Sequence, residues 1–246
     1  MNIIRRAYIV AISSQIWIME RVFFYPKLAF GYKNLELYID TRRSLTIFDV
    51  GANRGQSVRF FKNHYPNSKI YAFEPSTRSG KKLKKFIEHR QYEGIFMIPI
   101  AFGNSQKEML FYESDLSETS TFTMPNQDSR NLKIKNLILL QKQKNSYKPT
   151  VVQMTTLDNF VHVNKIDAID ILKIDVEGYE LEVIQGSSHT LRLGKVKVVQ
   201  IEVHDSGMYK DNFPEIESIL KQNRYLKSKE IKHPFGNFRE ILYLRQ

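Results

Sequence analysis

The sequence predicts an α/β fold, a Rossmann-like domain whose central sheet is mostly parallel and covered by helices on both faces. From residue 45 onward, short β-branched runs alternate with helical stretches, as they do when parallel strands are joined by crossover helices. The chain has 246 residues, 42% of them hydrophobic and 12% aromatic, enough to bury one large core. A glycine turn directly after the first of these runs adds a third sign, because such turns open the ligand-binding half of doubly wound sheets.

Residues 1–40 read as an N-terminal helical segment, followed by the main domain over 41–246 with an insertion at about 104–150. Arg5 and Arg6 precede AYIVAISSQIWIM, which superficially resembles a secretory leader, but Glu20 and Arg21 follow where a small-residue cleavage site would be needed. No apolar run reaches the roughly 20 residues of a spanning helix. A helix over 3–24, broken near Pro26, is expected to pack on the domain, with peripheral contact to a membrane surface as the alternative. The protein is therefore expected to be cytoplasmic, or membrane-associated through this segment.

Strands are expected at 45–50, 69–74, 95–101, 169–174 and 197–203. Between the first two, Gln56 to His64 reads as a helix closed by Pro66 and Asn67. In the next helix Leu83, Phe86 and Ile87 form an apolar stripe, which leaves Lys81, Lys82, Lys84 and Lys85 on a solvated face. The alternation breaks over 104–150. Lys107 to Glu113 alternates like a strand, a turn-rich stretch follows, and NLKIKNLILLQKQKNSYK is basic and partly helical. The hydroxyls of Ser117 to Thr121 at the insertion's tip are candidates to face a ligand.

Thirty-seven Lys and Arg against 26 Asp and Glu give a net charge of +11, which favours anionic partners. Cysteine is absent. That excludes a disulfide framework, thiolate zinc sites and any covalent mechanism through a Cys nucleophile.

Four segments carry chemistry. In LTIFDVGANRGQSVRFF a buried strand ends at Asp49, Gly51 permits the tight turn, and a helix opens near Gly55, so backbone N–H groups face a ligand. A nicotinamide fingerprint would need glycines where Asn53 and Gln56 stand. In KIYAFEPS the next strand ends at Glu74, about 20 residues on, where an acid accepts both hydroxyls of a ribose. DAIDILKIDVEGYELEVIQG brings Asp175 and Glu177 to the end of a central strand, and VVQIEVHD brings Glu202, His204 and Asp205 to the same edge.

DVGANRG, FEP, LKIDVEGYELEVIQG and IEVH, in this order and at these separations, resemble the FkbM-type methyltransferases. The resemblance runs from about Leu45 to Leu244, and the AFGN at 101–104 fits the family's turn after the third strand. It implies a class I methyltransferase domain that uses S-adenosylmethionine, with Asp49, Gly51, Asn53 and Gly55 along its methionine and ribose, Glu74 on the ribose hydroxyls and Ala101 near adenine. It also implies O-methylation of a hydroxyl on a sugar, polysaccharide or related natural product.

Transfer to an alcohol needs its proton removed. His204 is the expected general base because its ordinary pKa lies near neutrality, with Asp175 or Glu177 to orient it or take the proton. A divalent cation on these acids is the alternative. A nucleic-acid methyltransferase would suit the charge, but the N/D-P-P-Y/F motif of base-amino methylation is missing and IDVEG stands in its place. An NAD-dependent sugar oxidoreductase would need the full glycine fingerprint and a Tyr-x-x-x-Lys pair. Tyr32, Tyr112, Tyr147, Tyr179 and Phe235 are candidate walls of an acceptor pocket, against the plainer reading that they pack in the core.

Overall fold

The computed structural model describes residues 25–33, 38–114, 120–123, 147–204, 207, 209–233 and 238–246. In chain order these form α1 (Tyr25–Lys33), β1 (Thr46–Val50), α2 (Gln56–His64), β2 (Lys69–Phe73), α3 (Thr77–Arg90) and β3 (Ile95–Ile98). Then come β4 (Ala101–Phe102), β5 (Lys107–Ser114), β6 (Tyr147–Thr155) and α4 (Leu157–Val163). The chain closes with β7 (Ile169–Ile174), α5 (Glu180–Gln185), α6 (Ser188–Arg192), β8 (Val196–His204), α7 (Phe213–Gln222), β9 (Tyr225–Lys232) and β10 (Phe238–Arg245).

Among the described residues a seven-stranded sheet runs β3-β2-β1-β7-β8-β10-β9, and a three-stranded sheet runs β4-β6-β5. The pairs from β3 across to β8 are parallel, while β10 is antiparallel to both β8 and β9. All six residues of β7, IDILKI, are buried, so its apolar residues fall on both faces, and Asp170 and Lys173 are buried with charged partners.

Alternate side chains of the central strands feed two cores. Ile47, Ile171, Val198 and Leu242 pack with Leu28 and Tyr32 of α1, Val58 and Phe61 of α2, and Leu83 of α3. Phe48, Leu172, Val199 and Ile241 pack on the other face with Leu157 and Phe160 of α4, Val183 and Ile184 of α5, and Leu220 of α7. Helices on both faces of a largely parallel sheet are the expected Rossmann-like arrangement.

The expected strands at 45–50, 69–74, 169–174 and 197–203 match β1, β2, β7 and β8 to within one residue at either end. The run at 95–101 does not stay whole. It divides into β3 and β4, and β4 leaves the large sheet to pair with β6, Ala101 opposite Met154. Pro99 lies between them and has no N–H to give to a ladder. The strand read over 107–113 is β5, whose partner β6 was not anticipated. Helix α1 contains Pro26, whereas the expected helix over 3–24 lies outside the described residues, as do 131–146, Ser117 to Glu118, Thr119, Asp205 and Phe235.

The end of β4 in the small sheet meets the end of α5 through two glycines. Gly186 has an ordinary φ of −73°, yet a Cβ there would fall 1.9 Å from the carbonyl oxygen of Gly103. Gly186→Ala should therefore destabilise the protein by about 1–3 kcal/mol through overpacking alone, as a lower thermal midpoint with an unchanged far-ultraviolet spectrum.

Candidate functional site

The chain builds outward through β1, β2 and β3 and then returns to the other side of β1 with β7. Strand order thus reverses between β1 and β7, the place where open α/β sheets leave a crevice for ligands at the strands' carboxyl ends. Two backbones meet there. A Cβ on Gly51, which has φ of +85°, would stand 1.8 Å from the carbonyl oxygen of Asp175, so both the dihedral and the space require glycine. Gly55, with φ of +92°, caps α2 and lets Phe86 and Leu83 of α3 close on the turn. Asn53 between them has φ of 47°, a left-handed conformation that asparagine tolerates better than most residues.

Beneath this turn lies a buried cation. Lys173 Nζ is 2.9 Å from Asp175 Oδ2 and 3.7 Å from Asp49 Oδ1, and Asp49 has no exposed surface. Asp49 Oδ2 also accepts the hydroxyl of Ser57. Burial opposes the charge on Lys173, but Asp175, Asp49 and Glu240 outweigh it and hold the ammonium firmly protonated. Burial raises Asp49, and Lys173 and Ser57 offset part of that rise. On the next strand Gln200 sits opposite Lys173 in register and accepts the hydroxyl of Tyr32 from α1.

Glu74 follows β2, as expected. Its two carboxylate oxygens accept the backbone N–H groups of Asn53 at 2.9 Å and Ser76 at 2.8 Å. Burial pushes its pKa up to about 7 against the pull of those two donors. Ser76 caps α3 and gives its own hydroxyl to Glu113 of β5 at 2.6 Å. The first helix turn and the second strand's acid are therefore tied together directly.

The turn after β7 presents Glu177. This residue has φ of 54° and is followed by Gly178 at +92°, so a side chain is held in a region normally left to glycine. Its carboxylate accepts the Tyr209 hydroxyl at 3.0 Å, and its carbonyl accepts the Thr121 hydroxyl at 2.6 Å. Glu180 Oε1 accepts the N–H groups of Val176 and Gly178, closing the turn from the α5 side.

His204 at the end of β8 stands between two carboxylates, its Nε2 3.1 Å from Glu202 Oε1 and 3.6 Å from Glu177 Oε2. Burial opposes charge on the ring, but Glu202 and Glu177 outweigh it and push its pKa up to about 10. Burial pushes Glu202 up as well. The flanking carboxylates thus favour the charged ring over the neutral one expected of a general base. Among the described residues Asp175 pairs with Lys173, and the acids within 4 Å of the ring are Glu177 and Glu202.

Ala101 is buried on β4, and Glu74 N–H donates to the carbonyl of Ile98 three residues before it, which puts this segment beside the second-strand acid. Of the candidate pocket walls, Tyr32 lies in the core against Phe60, Phe61 and Tyr65. Tyr179 packs on Phe122 and gives its hydroxyl to Met109. Tyr112 pairs through its backbone with Thr121, and the side chain of Tyr147 is outside the described residues. Sequence reading missed Lys173, Glu202 as the closer partner of His204, and Tyr209. Lys173 alone carried a signal, a cation inside a strand that is apolar but for Asp170.

The model of the FkbM methyltransferase domain matches residues 49–227. The chain belongs to this family. It is accordingly an S-adenosylmethionine-dependent methyltransferase, as the four segments above imply. Among curated relatives, the 2-O-methyltransferase NoeI of Sinorhizobium fredii is 24% identical over 172 residues, covering 68% of this chain and 67% of its own. The 31-O-demethyl-FK506 methyltransferase FkbM of Streptomyces tacrolimicus is 25% identical over 199 residues, 76% of this chain and 75% of its own. The structure of the N-terminal domain of human METTL16 with SAH matches with a TM-score of 0.50 at 11% identity, covering 89% of this chain and 68% of that one. This last likeness concerns the fold.

The crevice fits the family's cofactor. Asn53 Oδ1 is buried and accepts no hydrogen bond from the described residues, the glycine turn leaves room against the backbone, and the acids at the strand ends outnumber the one buried ammonium, which suits a cationic sulfonium. The divalent-cation alternative finds no donor set among the described residues. No helix among them is long and apolar enough to cross a membrane.

Replacing Lys173 with Met should strand two carboxylates in the sheet and destabilise the fold by about 3–5 kcal/mol, measured by denaturant unfolding. A second outcome follows from His204. Its folded pKa lies above its unfolded value, so its contribution to stability is complete below about pH 6.5 and is lost as pH rises through about 10. Thermal midpoints should fall across that alkaline window in the parent protein, and His204→Gln should flatten this part of the curve.

Proposed function

We propose that this methyltransferase acts on oxygen, methylating a hydroxyl of a sugar, polysaccharide or related natural-product acceptor held at the carboxyl ends of β7 and β8. The observation that carries this reading is the Glu177–His204–Glu202 cluster, a proton-handling group at the strand ends next to the cofactor crevice. The names of the two relatives, both oxygen-directed, support it. The chain's +11 charge favours acceptors that carry negative groups.

On this reading Asp49, Gly51, Asn53 and Gly55 line the methionine and ribose, Glu74 takes the ribose hydroxyls, and Ala101 borders the adenine. When bound, S-adenosylmethionine supplies an activated methyl group on a sulfonium with a neutral thioether to leave. The chain's own task is to hold the acceptor oxygen in line and to receive its proton. Glu177 is assigned the proton. The His204 imidazolium, one carboxylate away, steadies negative charge as it develops on the acceptor oxygen. Asp175 contributes through Lys173 by fixing the floor of the crevice, without contact to the reacting atoms.

Isothermal titration of the purified protein with S-adenosylmethionine, with NAD⁺ as the control, tests the cofactor half. Micromolar binding of the first alone is expected, and binding of NAD⁺ alone would overturn the reading of the glycine turn. Glu74→Ala should weaken S-adenosylmethionine by about 1.5–3 kcal/mol, the loss of hydrogen bonds to a charged group. The ionised carboxylate is the better acceptor for ribose hydroxyls, so affinity should tighten as pH rises through about 7. A pH-independent affinity would remove Glu74 from the ribose. With an acceptor in hand, Glu177→Gln should depress kcat by about 10²-fold or more while leaving cofactor affinity intact.

A further inference from the structure

Tyr209 is the residue on which the geometry of this corner converges. Its hydroxyl donates to Glu177 Oε2 at 3.0 Å. Its ring meets the His204 ring edge to face, with centroids 5.3 Å apart. It also lies over the turn itself, since a Cβ on Gly178 would come within 2.5 Å of Tyr209 Cδ1. One side chain from the segment after β8 thus touches the acid, the histidine and the glycine that lets the acid adopt its left-handed backbone.

We propose that Tyr209 is a positioning residue for the proton-handling pair, closing over Gly178 and holding the Glu177 carboxylate toward His204. The proposal deepens the function argued above and rests on that reading for its catalytic meaning. Glu177 has a choice of directions. Its side chain is 14% exposed, and a carboxylate with one edge in water turns to solvent unless a donor fixes it. The Tyr209 hydroxyl is the donor placed to do so, and its ring blocks movement of the turn from above. Thr121 holds the same residue by its carbonyl at 2.6 Å. Backbone and carboxylate are thereby fixed from two different loops, and of these two contacts the one from Tyr209 acts on the carboxylate itself.

The groups facing His204 are Glu202 on its own strand, Glu177 in the turn after β7, Glu180 on α5, Tyr209, and the ring of Phe238 on β10. Its protonation therefore reports where the Glu177 carboxylate lies, and the test needs no acceptor. The imidazole of His204 is followed by NMR through a pH titration of the full-length, isotope-labelled protein, with His204→Gln to assign the resonance. Glu177→Gln removes an opposite charge within about 4 Å and should lower the midpoint by about one pH unit or more. Tyr209→Phe keeps the ring over Gly178 and deletes the hydroxyl. It should move the midpoint in the same direction as Glu177→Gln, and it should add almost nothing in the double variant, since both changes act through one carboxylate.

An unchanged midpoint in Tyr209→Phe overturns the proposal, and so does a shift that persists at full size in the Glu177→Gln background. S-adenosylmethionine affinity measured on the same samples is expected to stay within about twofold of the parent, as for a residue that acts away from the cofactor. A parent protein that binds no S-adenosylmethionine would instead sink the methyl-transfer reading, leaving the titration result to stand or fall separately.

Discussion

A single ammonium group, Lys173 Nζ, sits in the sheet at the level where strand order reverses, between Asp49 on one side and Asp175 on the other. Without it, the fully buried Asp49 would stand unpaired beside the half-buried Asp175, in a medium that penalises a buried charge by several kcal/mol. With it, Asp49 can stay at zero exposure, anchor Ser57 at the start of α2, and so fix the helix whose N-terminus faces the cofactor crevice. Asp175 in turn sets the height of β7's exit, and its carbonyl fills the space that a side chain on residue 51 would need. The glycine turn and the acid-bearing turn are thus two sides of one contact. The local charge is also opposite in sign to that of the whole molecule. The chain carries +11, yet Asp49, Asp175 and Glu240 act on one lysine here, an arrangement that favours a positively charged ligand at the switch point whatever the surface attracts.

The polar belt occupies only one end of one sheet face. Ile47, Ile171 and Val198 lie on the same sides of their strands as Asp49, Lys173 and Gln200 two residues later, and the register places each trio side by side. The face is therefore apolar under α2 and α3 and polar toward the strands' carboxyl ends. Tyr32 of α1 reaches this boundary, with its ring among Phe60 and Phe61 and its hydroxyl on Gln200. The amphipathic tyrosine allows a helix from the N-terminal segment to cover a surface that changes character along its length.

How much of this could be read in the sequence follows from the same geometry. β1, β2, β7 and β8 were readable because each is a short run dominated by apolar residues, as strands covered on both faces are, and the turns after them because glycine and acids stand at the expected places. β6, β9 and β10 were not. YLKSKEIK, the sequence of β9, has its exposed lysines because it is a sheet edge, and such a strand looks like a solvated loop or helix. β3 was overextended because a run of apolar residues hides the effect of Pro99. In the site, Gly51, Glu74, Glu177 and His204 announce themselves through local motifs. The partners that decide their chemistry do not, since Asp49 and Lys173, or Glu177 and Tyr209, meet only across strands or loops. Tyr32 shows the reverse case, an aromatic that fits a pocket wall by type and is core by position.

The surroundings of His204 show why residue type is a weak guide to proton chemistry. A histidine near a strand end suggests a base because its ordinary pKa is near neutrality. Here the two nearest groups are carboxylates, one on its own strand and one in the turn after β7, and together with Glu180 they favour the charged ring more strongly than burial opposes it. The resulting imidazolium is a cation in an acidic pocket. It offsets the mutual repulsion of Glu177, Glu180 and Glu202. On the proposed function Glu177 takes the acceptor's proton, while Glu202, which touches the ring from its own strand, helps to keep the charge on His204. On that proposal the histidine carries the charge and the acid exchanges the proton.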